Sequence, residues 1–135
     1  MRVGLDTNVL VSAFTTRGIC ADIFAVVLSE HQLVLGEQVL VELSRVLERK
    51  MGMPKEAVSE TEAFLRQEAV VTSSGAAIES AIRDADDAVV LAQAVAGLAD
   101  VLVTGDRDLL DVADQLPIKV LSPRGFWEVL QDRPR

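Results

Sequence analysis

The sequence predicts an α/β protein, a parallel sheet with helices packed on both of its faces. Two observations carry that expectation. Short apolar runs of about four residues alternate with longer stretches whose apolar residues recur at the three- and four-residue spacing of a helix face. Half of the 135 residues are hydrophobic and a quarter are charged, a composition and length that suit one domain with a real core. That domain is expected to span residues 1–130, with a short tail at residues 131–135.

In chain order, Arg2 to Leu5 is the first strand and runs into Asp6, and helices follow over Asn8 to Phe14 and Ile19 to Leu28. Gln32 to Leu35 is the second strand, closed by Gly36. Val39, Leu40, Leu43, Val46 and Leu47 then define the apolar side of a helix. Pro54 opens the next helix, because a first turn has no acceptor for the N–H that proline lacks, and Val58, Phe64 and Leu65 give that helix an apolar side. Ala69 to Thr72 is the third strand and Ser73-Ser74-Gly75 a turn. Helical character returns from Ile78 to Ile82 and again from Asp87 to Ala96, where the segment is apolar on nearly every face and is expected to be buried. Val101 to Thr104 is the fourth strand, Leu109 to Leu116 a short helix, Ile118 to Leu121 the fifth strand and Phe126 to Leu130 a closing helix.

Composition removes several kinds of chemistry. Cys20 is the only cysteine, so an internal disulfide is impossible, and its place in a helix suits a small buried thiol. His31 is the only histidine and has no neighbour that would make it a base for thiol catalysis. No run approaches the 18 to 20 apolar residues of a membrane span, and the chain enters a strand-like segment at once, so a cytoplasmic protein with no membrane partner is expected. The net charge of -8 repels nucleic acid at long range. Any nucleic-acid chemistry must therefore come from a local site.

The acids supply such a site. In an open α/β sheet, ligands bind outside the carboxyl ends of the strands, where loops and helix N-termini converge. Asp6 follows strand one and Asp106 follows strand four, while Asp87 closes the acidic run Asp84-Ala85-Asp86-Asp87 ahead of a buried helix. Glu42 lies within a helix, beside the apolar stripe of Val39, Leu43 and Val46. Taken singly, each aspartate suits a helix N-cap, and Glu42 suits a pair with Arg45 or Arg49 on its own helix. Taken together they are costly, since two carboxylates about 4 Å apart repel by roughly 4 kcal/mol at an effective dielectric near 20. A converging group must bind cations or protons. With only oxygen donors, the fitting ion is a hard one, Mg²⁺ or Mn²⁺, and the chemistry such a site supports is phosphodiester hydrolysis.

The order Asp6-Thr7-Asn8-Val9-Leu10, then Glu42 in Val39-Leu40-Val41-Glu42-Leu43, then Asp84-Ala85-Asp86-Asp87, then Val103-Thr104-Gly105-Asp106-Arg107-Asp108 resembles the PIN domain. Within it, the chain is similar to the VapC-type toxins of bacterial toxin–antitoxin modules. The resemblance implies a three-layer α/β/α sandwich with a mostly parallel central sheet of about five strands and a Mg²⁺- or Mn²⁺-dependent endoribonuclease site. Residue by residue, it makes Asp6, Glu42, Asp87 and Asp106 the catalytic and metal-binding quartet and Asp108 an accessory acid. Thr7, Asn8 and Thr104 would orient carboxylates or substrate. It also implies an RNA substrate, a small antitoxin partner and a homodimer. Two positions stay open in the sequence: Asp86 competes with Asp87, although the spacing to Ala92 and Ala94 favours Asp87, and Glu37 competes with Glu42, although an acid at a helix start also serves the dipole.

Three other readings fit less well. A PIN-like module that only binds a partner would keep the acids as caps, and would not need all four. A receiver domain wants two acids after strand one and an aspartate after strand three, where Val70-Val71-Thr72 has none. A haloacid-dehalogenase-type phosphatase wants an aspartate two positions after Asp6, where Asn8 stands.

Overall fold

The computed structural model describes residues 1–73 and 82–132. Its strands are β1 (Arg2–Leu5), β2 (Gln32–Gly36), β3 (Val70–Thr72), β4 (Val101–Val103) and β5 (Lys119–Leu121), and its helices are α1 (Thr7–Thr15), α2 (Ile19–Glu30), α3 (Glu37–Arg49), α4 (Lys55–Glu68), α5 (Ala85–Ala96), α6 (Arg107–Leu110) and α7 (Pro123–Gln131). The five strands form one sheet in the order β3-β2-β1-β4-β5, and every pairing is parallel. Val3, Gly4 and Leu5 in β1 and Val101 to Val103 in β4 are all buried. Successive residues of a strand face opposite ways, so the helices must cover both faces of the sheet. The expected α/β architecture is therefore present.

That strand order decides where a ligand can go. From β1 the chain steps outward through β2 to β3, and the later strands β4 and β5 lie on the other side of β1. The direction of winding reverses between β1 and β4, which leaves a crevice at the carboxyl ends of those two strands. Leu5 pairs with Val103, so Asp6 and Thr104 leave the sheet side by side, and the Asp6 N–H donates to the Val103 carbonyl at 2.9 Å.

The core is continuous across the sheet, from Leu10 and Ile23 through Leu33, Leu35, Leu40 and Leu47 to Leu102, Leu109 and Phe126, all essentially inaccessible. Cys20 is buried within it. No single helix among the described residues is long and apolar enough to cross a membrane. The bent pair of α1 and α2, broken by 103°, meets such a test only by length and composition.

Several boundaries differ from the sequence reading. The short helix expected over Leu109 to Leu116 is α6 followed by a separate 3-10 turn at Ala113–Gln115. Asp106 starts α6 earlier than the apolar pattern does, by capping it. The closing helix begins at Pro123, ahead of Phe126, because Ser122 Oγ caps it by accepting from the Gly125 N–H at 3.0 Å. Gln131, assigned to the tail, is its last residue. Thr104 lies just beyond β4, and Ile118 just before β5. The buried helix starts at Ala85 rather than Asp87, since Asp84 is its cap. The turn at Ser73-Ser74-Gly75 and the helical segment from Ile78 to Ile82 lie outside the described residues, apart from Ser73 and Ile82.

Candidate metal centre

Asp6 is fixed before any ligand arrives. Its backbone is extended at the start of α1, its Oδ1 accepts from the Thr7 N–H at 2.8 Å, and its Oδ2 accepts from Thr104 Oγ1 at 2.7 Å. Asn8 Nδ2 reaches the same Oδ2 at 3.4 Å, while Asn8 Oδ1 accepts from the Gly105 N–H at 2.8 Å, tying the β1 and β4 loops together. Asp6 is 4% exposed, and burial pushes its carboxyl above the ordinary range even though Thr104 and Thr7 pull the other way and the charges of Glu42 and Asp106 add to the rise.

Asp106 repeats the device after β4. Its Oδ1 accepts from the Asp108 N–H at 2.9 Å and caps α6, and its own N–H donates to Thr104 Oγ1 at 3.0 Å. Thr104, fully buried, thus receives the Asp106 amide and donates to Asp6. Glu42 is held from two sides: Thr7 Oγ1 donates to its Oε2 and Gln38 Nε2 to its Oε1, both at 2.8 Å. Neither the Arg45 nor the Arg49 pairing suggested by helix spacing is made.

Asp87 is the exception. The role of cap belongs to Asp84, whose Oδ1 accepts from the N–H groups of Asp86 and Asp87, so Asp87 has no local backbone duty. Its Oδ2 is buried without a hydrogen-bond partner, the only such side-chain oxygen or nitrogen among the described residues. Burial, then the adjacent Asp106 carboxyl and the charges of Asp84 and Asp6, raise its pKa to about 7. A buried carboxylate oxygen without a donor is costly unless a proton or a cation meets it.

Asp6, Glu42, Asp87 and Asp106 line one open cavity of about 500 Å³, together with Thr7, Asn8, Val11 and Val46. Carboxylate oxygens of Asp87, Asp106 and Asp108 lie within 4.8 Å of one another, close enough to share an ion. Asp6 and Glu42 belong to the same cavity but not to that tighter group. Thr104 stands behind the cavity, not in its wall. Of the two competing acids, Asp86 is exposed and outside this cavity, and Glu37 is taken by Arg66, whose guanidinium donates to both its oxygens at 2.7 Å and holds its carboxyl below the usual range. The donors fit a hard divalent cation: all are oxygens, and the orphaned Asp87 Oδ2 needs a positive partner.

Sequence reasoning missed three residues here. Asp84 lies in an acidic run whose spacing does not single it out as the cap. Gln38 gave no signal, being one more polar residue in the first turn of an amphipathic helix. Gln93 did give one, as the single polar side chain in the apolar stretch from Ala88 to Ala96. It is buried, and its Oε1 accepts from the Gln38 N–H at 2.9 Å, capping α3 where Gly36 has no side chain to do so. A Cβ on Gly36 would collide with that Oε1, so Gln93 in this place requires glycine at 36. We expect Gln93→Ala to lower stability by about 1–2 kcal/mol in a urea melt through loss of the cap and its hydrogen bonds. An unchanged midpoint would mean that water replaces the cap.

The fold has relatives. Significant structural similarity extends to VapBC2 from Rickettsia felis, solved bound to a DNA fragment from its promoter, with a TM-score of 0.63, 16% identity, and coverage of 90% of this chain and 98% of that one. It extends also to VapBC-1 from nontypeable Haemophilus influenzae, with a TM-score of 0.62, 17% identity, and coverage of 92% and 99%. FitAcB from Neisseria gonorrhoeae follows at 0.53, 17% identity, and 90% and 98%. At such identities the likeness speaks for the fold. No curated protein sequence matches the chain significantly. The family model described as PIN domain matches residues 2–108, a span that holds all four acids and most of the chain, and the protein therefore belongs to the PIN-domain family.

Proposed function

We propose that this PIN-domain protein is a Mg²⁺- or Mn²⁺-dependent endoribonuclease, acting as the toxin of a toxin–antitoxin module in the cytoplasm. The observation that carries the reading is the buried, unpartnered Asp87 Oδ2 beside Asp106, in a cavity that Asp6 and Glu42 also line. Capping explains one oxygen each of Asp6 and Asp106, and a module that merely binds partners would need no more. It does not explain Asp87.

In this reading Asp6, Glu42, Asp87 and Asp106 hold the metal, and Asp108 supplements them. A bound divalent ion offsets charge on the substrate phosphate and lowers the pKa of a water molecule. The protein's own work is to hold the acids in place: Thr104 and Asn8 fix Asp6, Thr7 and Gln38 fix Glu42, and the α6 cap fixes Asp106. Preset oxygens spare the site the reorganisation that flexible carboxylates would need. Local neutralisation by the metal also answers the objection raised by the net charge of -8.

A small antitoxin, supported by the likeness to the VapBC structures, and a homodimer complete the proposal. Phe14 and Phe64, both partly exposed, flank a cavity of about 300 Å³ where α1 meets α4, apolar surface that either partner would cover. The test is cleavage of single-stranded RNA by the purified chain with Mg²⁺ or Mn²⁺, with chelator, and with a thiol-blocking reagent. Cleavage should vanish with chelator and survive thiol blocking. Cleavage that persists in chelator would remove the metal from the reading.

A further inference from the structure

Glu42 and Thr7 stand on a wall shared by two cavities. The second cavity, of about 440 Å³, continues from them and Val46 along α3 to Arg45, Arg49 and Lys50, with Asp86 as its one other acid. Counted from Glu42, Arg45 lies roughly one helical turn and Arg49 two turns further on, or about 5 and 10 Å along the axis. All three cations are exposed, and none forms an ion pair or side-chain hydrogen bond among the described residues. In a chain with 21 acids and only 13 Lys and Arg, three cations on one wall without acid partners are not what charge balance alone would leave.

The helix dipole favours cations near the C-terminus of α3, which accounts for Arg49 and Lys50 but not for Arg45. Two same-helix acids lie within reach of Arg45: Glu42, whose oxygens are occupied by Thr7 and Gln38, and Glu48, which lines a different cavity with Lys55 and Arg66. On this helix Glu42 borders both cavities, whereas Arg45, Arg49 and Lys50 line only the second.

We propose that Arg45, Arg49 and Lys50 form a phosphate-binding wall that receives the backbone of single-stranded RNA next to the acid cluster, so that the strand runs along α3 into the site. The inference rests on the nuclease reading for its substrate, but its test does not depend on cleavage. Phosphate contacts carry no base information, so this wall supplies affinity and register rather than sequence choice.

The test is fluorescence anisotropy of a labelled single-stranded RNA oligonucleotide, titrated at fixed Mg²⁺ over a salt series. Both arms carry Asp106→Asn so that the strand stays whole. Replacing Arg45, Arg49 and Lys50 together by Gln should weaken binding by at least about 10-fold and flatten the plot of log K against log salt by about 2, the sum of roughly 0.7 for each lost phosphate contact. Arg49→Gln alone should give about a third of the change in slope. Lys55→Gln, which removes one charge at the start of α4 in a separate cavity lined by Ser44 and Glu48, should change affinity less than about twofold. An unchanged slope in the triple variant, or an equal loss with Lys55→Gln, would overturn the wall. If the parent binds RNA through these residues yet cleaves none with Mg²⁺ or Mn²⁺, the nuclease reading falls and the wall stands.

Discussion

Replacing Asp106 by Asn is expected to reduce metal-dependent RNA cleavage by at least about 100-fold while the protein remains folded. Ligand removal should cost more than the 10- to 100-fold typical of residues that only support a metal ligand. The fold should survive because the cap of α6 needs only one oxygen. In the variant the amide Oδ1 accepts from the Asp108 N–H, and the backbone N–H of residue 106 still donates to Thr104. Asp6→Asn is a poorer experiment. Thr104 Oγ1 already receives the Asp106 N–H and must donate to Asp6 Oδ2, so an amide nitrogen at that position would set donor against donor in a buried pocket. Loss of activity in Asp6→Asn would mix ligand removal with a broken hydrogen-bond chain. For Asp106→Asn, a rate equal to that of the parent, with an unchanged circular dichroism spectrum, would exclude Asp106 as a ligand that matters.

The same local chemistry explains what was legible in the sequence. The strands were readable because they are buried on both faces and so appear as unbroken apolar runs such as Val101-Leu102-Val103. Asp6 and Asp106 are readable because Asp6 directly follows such a run and Asp106 lies three residues beyond one, where the parallel topology places ligands. The convergence of Glu42 was suggested only by its position beside an apolar stripe. What fixes it, Thr7 from α1 and Gln38 one turn earlier, is tertiary geometry that no spacing encodes. Helix ends were misjudged wherever a cap, and not an apolar residue, sets the boundary, as at Asp84, Asp106 and Ser122. Gln93 shows the limit from the other side. Its burial was signalled by an apolar neighbourhood, but its partner, the first turn of α3, lies 55 residues away in the chain.

Removing the Asp87 charge should stabilise the metal-free protein and remove much of its response to Mg²⁺. Asp87 holds its proton with a pKa of about 7 in the folded state, against 3.8 for an unperturbed aspartate. Between about pH 4 and 7 the folded chain therefore binds more protons at this site than the unfolded chain does. The contribution of Asp87 to the stability of the metal-free protein therefore falls as pH rises through that window and levels off above it. Asp87→Asn carries no charge to bury, and the α5 cap is untouched because Asp84 supplies it. At pH 8 in chelator the variant should be more stable than the parent by on the order of 1 kcal/mol, the full shift being reduced by the openness of the cavity to solvent. Mg²⁺ at about 100 times its dissociation constant should add roughly 2.7 kcal/mol to the parent by binding the folded state alone, and clearly less to the variant. Because metal displaces the Asp87 proton, the parent's affinity for Mg²⁺ should also rise from pH 6 to pH 8, by up to about tenfold per pH unit below pH 7. Thermal melts of both proteins with chelator and with Mg²⁺, at pH 5.5 and pH 8, read all of these effects. If parent and variant respond equally to Mg²⁺ at pH 8, Asp87 binds no metal. If neither responds to Mg²⁺ or Mn²⁺, the acids serve the helices alone and the nuclease reading gives way to a partner-binding one.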